Sequence, residues 1–262
     1  MSEYRSGDST ARGLEKIATK SYIVPSIQRD FVWKHKQIEK LFDSLMQGYP
    51  VGTLLFWQIS PEVSEKFNFY EFARYYDERD TEHSTPLDTI DNKEVIAVLD
   101  SQQRLTALNI GLRGSLQLKL SQKHWNNPDA FPVKYLYLDL ISPTVPDDEG
   151  RRYKFQFLSD SEIKKKDKNF WFRVSDILKM EQPDLLNSYM DTRGGHLTRD
   201  QHTLAVGILF KLYNMVFNQK HIHYFLEKSK DIDKVLNIFI RLNTGGTKLV
   251  YSDLLFSMVV LQ

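Results

Sequence analysis

From His35 to Gln47 the apolar residues Ile38, Leu41, Phe42 and Leu45 recur on one helix face, and Gly48 follows as a stop signal, so the pattern predicts a short amphipathic helix. The run Val51-Gly52-Thr53-Leu54-Leu55-Phe56-Trp57 is rich in β-forming residues between Pro50 and Pro61 and reads as a strand with at least one buried face. Residues 60–93 carry aromatics in the middle and end in a polar stretch, Asp77 to Asp91, that reads as an irregular loop. Val95 to Leu99 is a second buried strand that runs straight into Asp100, and Leu105, Leu108 and Leu112 mark a helix beyond the polar cluster.

Tyr135 to Leu140 and Tyr153 to Leu158 read as two further strands, separated by the turn-forming Ser142 to Gly150 and arranged as a hairpin or as neighbours. From Val174 onward the pattern becomes mainly helical, most clearly at Leu204, Ile208, Leu212 and Met215, with His221 to Leu226 as a short interruption. A helix from about Asp231 to Leu242 leads into the turn Asn243-Thr244-Gly245-Gly246-Thr247. The apolar segment that follows, with Met258 to Leu261, is expected to need a partner surface, as in a domain excerpt.

Composition narrows the classes. At 262 residues, 41% hydrophobic and 26% charged, the chain is expected to fold around a substantial core. A net charge of +1 gives no global attraction to a polyanion, so any nucleic-acid contact must be local. The absence of cysteine removes disulfides, thiolate metal sites and a cysteine nucleophile. Met1 to Lys20 has no signal-peptide pattern, and no apolar run approaches the roughly 20 residues of a membrane span, so the cytoplasm is the expected compartment.

Three clusters can carry chemistry. Asp100-Ser101-Gln102-Gln103-Arg104, between a strand and a helix, sets polar side chains beside the unsatisfied N–H groups of a helix start, which outlines an anion site. Ser101 suits an N-cap, Arg104 offers a planar fork for phosphate, and Asp100 can hold a metal or orient a water. The alternative is a capped helix whose Gln102, Gln103 and Arg104 face solvent. In the second cluster, Val24 to Trp33, Gln28, Arg29 and Asp30 are embedded in large apolar residues; Arg29 either pairs with a carboxylate such as Asp30 or reaches a ligand phosphate alongside Arg104, and Trp33 is read as core. In the third, Asn237 and Arg241 share a helix face, and Asn243, Gly245 and Gly246 form either an anion nest or an ordinary helix end.

Two further features carry weaker signals. His221 and His223 share one strand face but lack a third metal ligand in sequence, and Lys164-Lys165-Lys166-Asp167-Lys168 is either a nucleic-acid contact or a solvated surface.

These clusters, in this order, resemble the N-terminal domain family of GmrSD-type, modification-dependent restriction proteins, related to the ParB and sulfiredoxin nucleotide-binding fold. The family's Ile-Pro-x-Tyr-Gln-Arg-x-Tyr-x-Trp is matched by Val24 to Trp33, with Ile27 and Phe31 in place of the tyrosines. Its Asp-Gly-Gln-Gln-Arg-Leu-Thr-x-Leu is matched by Asp100 to Leu108, with Ser101 where glycine is expected, and its Arg-x-Asn-x-x-Gly-x-x-Leu by Arg241, Asn243, Gly246 and Leu249.

The resemblance implies an α+β fold: a ParB/sulfiredoxin-like mixed sheet with packed helices over residues 1–175, then a mainly helical part over 176–262 that completes the site and precedes a separate C-terminal HNH nuclease domain. It implies binding and hydrolysis of a nucleoside triphosphate with Mg²⁺, in the service of restricting foreign, modified phage DNA. Nucleotide contacts would come from Gln28, Arg29, Ser101, Arg104, Asn237, Arg241, Asn243, Gly245 and Gly246. Arg104 would meet transition-state charge, Asp100 would meet Mg²⁺ or the attacking water, and Gln102 or Gln103 would position the reactants. The Cβ of Ser101 would limit ligand approach and weaken turnover more than binding. A DNA-recognition module without turnover is the alternative, and no nuclease activity is expected of these residues themselves.

Overall fold

A computed structural model describes residues 3–26, 30–60, 64, 67–80, 84–87, 95–166 and 168–243. Strand β1 (Glu3–Ser9) leads into helix α1 (Thr10–Ala18), then β2 (Tyr22–Pro25), α2 (His35–Met46) and β3 (Leu54–Ile59). Short strands β4 (Phe69–Tyr70) and β5 (Tyr75–Asp77) precede β6 (Val95–Val98), α3 (Gln102–Arg113), β7 (Ser115–Gln117) and β8 (Val133–Asp139). The chain continues through β9 (Phe155–Leu158), α4 (Asp160–Ile163), β10 (Trp171–Arg173), α5 (Pro183–Arg193), α6 (Arg199–Tyr213), β11 (Lys220–Glu227) and α7 (Ile232–Asn243).

Two sheets form. The first runs β1-β11-β3-β6-β2-β4 and mixes parallel and antiparallel pairs; the second runs β10-β8-β7-β5, with β9 also paired to β8. The expected hairpin of β8 and β9 is present as an antiparallel pair, with Tyr137 opposite Gln156. The fold is α+β, as expected, but the described residues show no separate helical part after 175. Strand β11 lies inside the first sheet between β1 and β3, so this segment is stitched into the same body as the N-terminus. The periodicity beyond Val174 was correctly helical; the exception, β11, carries the topology.

Alternation along the first sheet sends its two faces into two cores. Tyr22, Val24, Leu54, Phe56 and Val98 face the main core, shared with α1, α2 and α3. Ile23, Leu55, Trp57, Val95, Ala97 and Leu99 face the other way, where Val235, Leu236 and Phe239 of α7 cover them. Helix α3 is buried along nearly its whole length, from Leu105 to Leu112, as expected of a helix apolar on most sides. Trp33 is half-buried against the main core, in line with its reading as core. Among the described residues no helix is long and apolar enough to cross a membrane.

Candidate functional site

The site follows from the strand register. β2 and β6 are parallel neighbours with Ile23 opposite Ala97, so the segments that leave their carboxyl ends emerge at the same edge of the sheet. One is the stretch after Pro25; the other is Asp100 to Arg104. Ligands of open α/β sheets bind beyond the carboxyl ends of strands, where diverging connections open a crevice. β3 enters this edge from the opposite direction: Leu99 N and Asp100 N both donate to the carbonyl of Leu55, at 2.8 and 3.2 Å.

Ser101 stands at the N-cap of α3 with φ 70° and ψ 18°, in the left-handed region. A side chain there costs about 1 kcal/mol relative to glycine, the residue that the resemblance leads one to expect at this position. The expected N-cap role is corrected: the hydroxyl makes no cap bond and instead donates to Asp100 Oδ2 at 3.2 Å. The first helical bonds are Arg104 N and Leu105 N to the carbonyl of Ser101, at 3.1 and 3.2 Å. The start of α3 thus faces the sheet edge as a concentration of N–H groups and positive dipole.

The pentad divides its labour. Gln102 is buried and does not face solvent. Gln103 is bound to the second cluster: its Nε2 donates to Asp30 O at 2.9 Å, and its Oε1 accepts from Val32 N at 2.9 Å. That two-point clasp joins the start of α3 to the segment entering α2, and Phe31 between the clasped residues is buried edge-on against Tyr76. Arg104 is half-buried, with its guanidinium over Gly52, whose φ is +84°. Among the described residues the Arg104 guanidinium meets no carboxylate, so its charge is available to an anion at the edge.

Other expected contacts fall elsewhere. Asn237 and Arg241 are exposed, on the face of α7 opposite Val235 and Phe239. Gln28, Arg29, Gly245 and Gly246 lie outside the described residues, and of Asn243 only its position at the end of α7 is described. α7 itself does border the edge, since Leu236 and Phe239 line a small apolar gap with Pro25, Ser26 and Leu99. His221 pairs with Gln219 at 3.0 Å, and His223 accepts the N–H of Gly7 at 3.2 Å, so both imidazoles have protein partners.

Sequence reading overlooked Gly52 and the backbone of Asp30 and Val32. Gly52 had a signal, since a glycine within a β-forming run marks a close approach. The Asp30 and Val32 contacts are backbone and leave none.

Two comparisons with known proteins bear on this arrangement. The model of the GmrSD restriction endonuclease N-terminal domain matches residues 12–260. An uncharacterised protein of Methanocaldococcus jannaschii is 39% identical over 85 residues, which cover 32% of this chain and 13% of that protein.

Proposed function

This chain belongs to the GmrSD restriction endonuclease N-terminal domain family, and from that premise we propose that it binds and hydrolyses a nucleoside triphosphate to regulate restriction of foreign, modified DNA. The observation that carries the reading is the meeting of two family motifs at one sheet edge, where Gln103 clasps Asp30 and Val32 beside the open start of α3. In this reading the triphosphate lies at the α3 N-terminus, where N–H groups and the guanidinium of Arg104 neutralise its oxygens. The mixed sheet, with the connections after β2 and β6 leaving at one edge, supports the ParB/sulfiredoxin-like form of the fold.

The residues fit Mg²⁺ as a nucleotide-borne ion. Asp100 is half-buried at the edge, and among the described residues no group of three or more His, Asp or Glu could hold a metal. A single carboxylate suits magnesium that keeps phosphate oxygens and waters as its other ligands. Bound there, the ion would supply charge neutralisation. Asp100 would hold it or orient water, Arg104 would stabilise charge that develops on the transferring phosphoryl group, and Gln103 would keep the Asp30–Val32 segment in position.

Calorimetric titration with each nucleoside triphosphate and Mg²⁺ tests the proposal, together with phosphate release. Binding of at least one nucleotide, weakened roughly tenfold or more by Arg104→Ala, is expected from the loss of a charge-assisted contact. No heat with any nucleotide would overturn it.

A further inference from the structure

Two clefts adjoin beside α2 on the second sheet, and Lys36, Glu39 and Gln156 line both. The first, of about 500 Å³, adds Arg151, Arg152 and Lys154. The second, of about 270 Å³, adds Lys119, Lys134 and Lys166. Seven lysines and arginines thus face three carboxylates in a chain whose net charge is only +1.

The local pairing leaves much of this charge uncompensated. Lys134 meets Glu162 at 2.8 Å, Arg151 meets Asp147 at 2.9 Å and Glu149 at 3.8 Å, and Lys154 meets Asp139 at 3.4 Å. Lys36, Lys119, Arg152 and Lys166 make no ion pair among the described residues. Of the three cleft carboxylates, Glu39 is buried and accepts the N–H of Phe157 at 2.9 Å; burial pushes its pKa up, which disfavours its negative form. Trp171 holds two ammonium groups without neutralising them, with Lys154 and Lys166 Nζ 5.2 and 5.5 Å from its ring centroid.

A compact anion needs convergent donors, whereas these cations are spread along two joined clefts. That distribution suits a ligand with anionic groups repeated along its length, and the lysine-occupied ring of Trp171 is no open platform for bases. We infer that the joined clefts bind the phosphodiester backbone of duplex DNA. The choice of DNA rests on the restriction function proposed above; the charge geometry stands without it. Lys166 is the member of the sequence's lysine run that lines this surface, and the clefts begin at His35 and Lys36, just beyond the segment that Gln103 clasps.

Fluorescence anisotropy of a short labelled DNA duplex, titrated with the chain at several salt concentrations, tests this. With the four unpaired cations engaged, log affinity should fall against log salt with a slope of about −3 to −4. Lys36→Glu combined with Lys166→Glu should weaken binding by roughly tenfold or more and make that slope shallower by about 2. The matched pair Arg199→Glu and Lys220→Glu, both exposed and neither lining the clefts, should change binding far less.

Absent or salt-insensitive binding would overturn the inference, as would equal losses in the two pairs, with folding of each verified by circular dichroism. Nucleotide calorimetry on the same proteins separates the two proposals. Nucleotide heat without duplex binding defeats the cleft alone, and duplex binding without nucleotide heat defeats the nucleotide reading alone.

Discussion

Gly52 lies directly beneath Arg104: a Cβ built on Gly52 would stand 2.9 Å from Arg104 Nη1. The glycine also adopts φ +84°, so two requirements, left-handed backbone and room for a guanidinium, meet at one residue. Gly52→Ala should cost about 1 kcal/mol of stability from the backbone alone. Because the displaced group is the far end of a flexible side chain, the larger effect should be on ligand affinity. Nucleotide calorimetry beside urea denaturation checks this, and unchanged affinity would show that the position of Arg104 is unimportant.

Ser101 offers the reverse experiment. Its left-handed backbone is held by the surrounding fold, and its hydroxyl contributes a partly buried bond to Asp100 at 3.2 Å. Ser101→Gly removes both the strain and that bond, and the net change should be a stabilisation of about 1 kcal/mol or somewhat less. It also frees the Asp100 carboxylate from its neighbour. Faster phosphate release by the glycine variant is therefore expected, and a lower midpoint in urea would contradict the strain argument.

Gln103 can be tested by separating its two bonds. Gln103→Ala loses both, at about 1 kcal/mol each, and should loosen the Asp30–Val32 segment. Gln103→Glu can still accept from Val32 N but turns a carboxylate oxygen toward the carbonyl of Asp30. Glutamate should therefore rescue little at neutral pH, and amide exchange at Val32 should quicken in the alanine variant. Full rescue by glutamate would mean that the bond to Asp30 contributes nothing.

Legibility in the sequence followed the range of the interactions. Helix α2 was readable from His35 because its apolar face is local, and β6 and the β8–β9 pair were readable for the same reason. Glu39 and Asp43 were not recognisable as interior positions. Their carboxylates are buried because they accept N–H groups of Phe157, and of Arg152 and Tyr153, more than a hundred residues away. Residues 3–18, largely polar in sequence, form β1 and α1, where small residues permit close packing; a Cβ on Gly13 would meet Ile222 Cδ1 at 2.2 Å. The pentad was legible as a motif, while its clasp on Asp30 and Val32 and its seat over Gly52 depend on strand register, which no local pattern encodes.

Asp139 had no sequence signal at all, yet it is the polar anchor of the second sheet. Its fully buried carboxylate accepts the N–H groups of Ile141 and Phe170 on Oδ1, at 3.3 and 3.2 Å. Oδ2 takes Ser142 Oγ at 2.6 Å, Lys154 Nζ at 3.4 Å and the amide of Asn169. These donors come from the end of β8, the approach to β9 and the approach to β10, so one side chain fixes where three strands meet. Removing it strands several donors in the interior, and Asp139→Ala should cost about 3–5 kcal/mol. Asp139→Asn keeps the shape but not the charge and replaces one acceptor oxygen with a donor, so its loss should be intermediate. Urea denaturation of the two variants checks the order, and an asparagine variant as stable as the parent would show that shape rather than charge holds this corner.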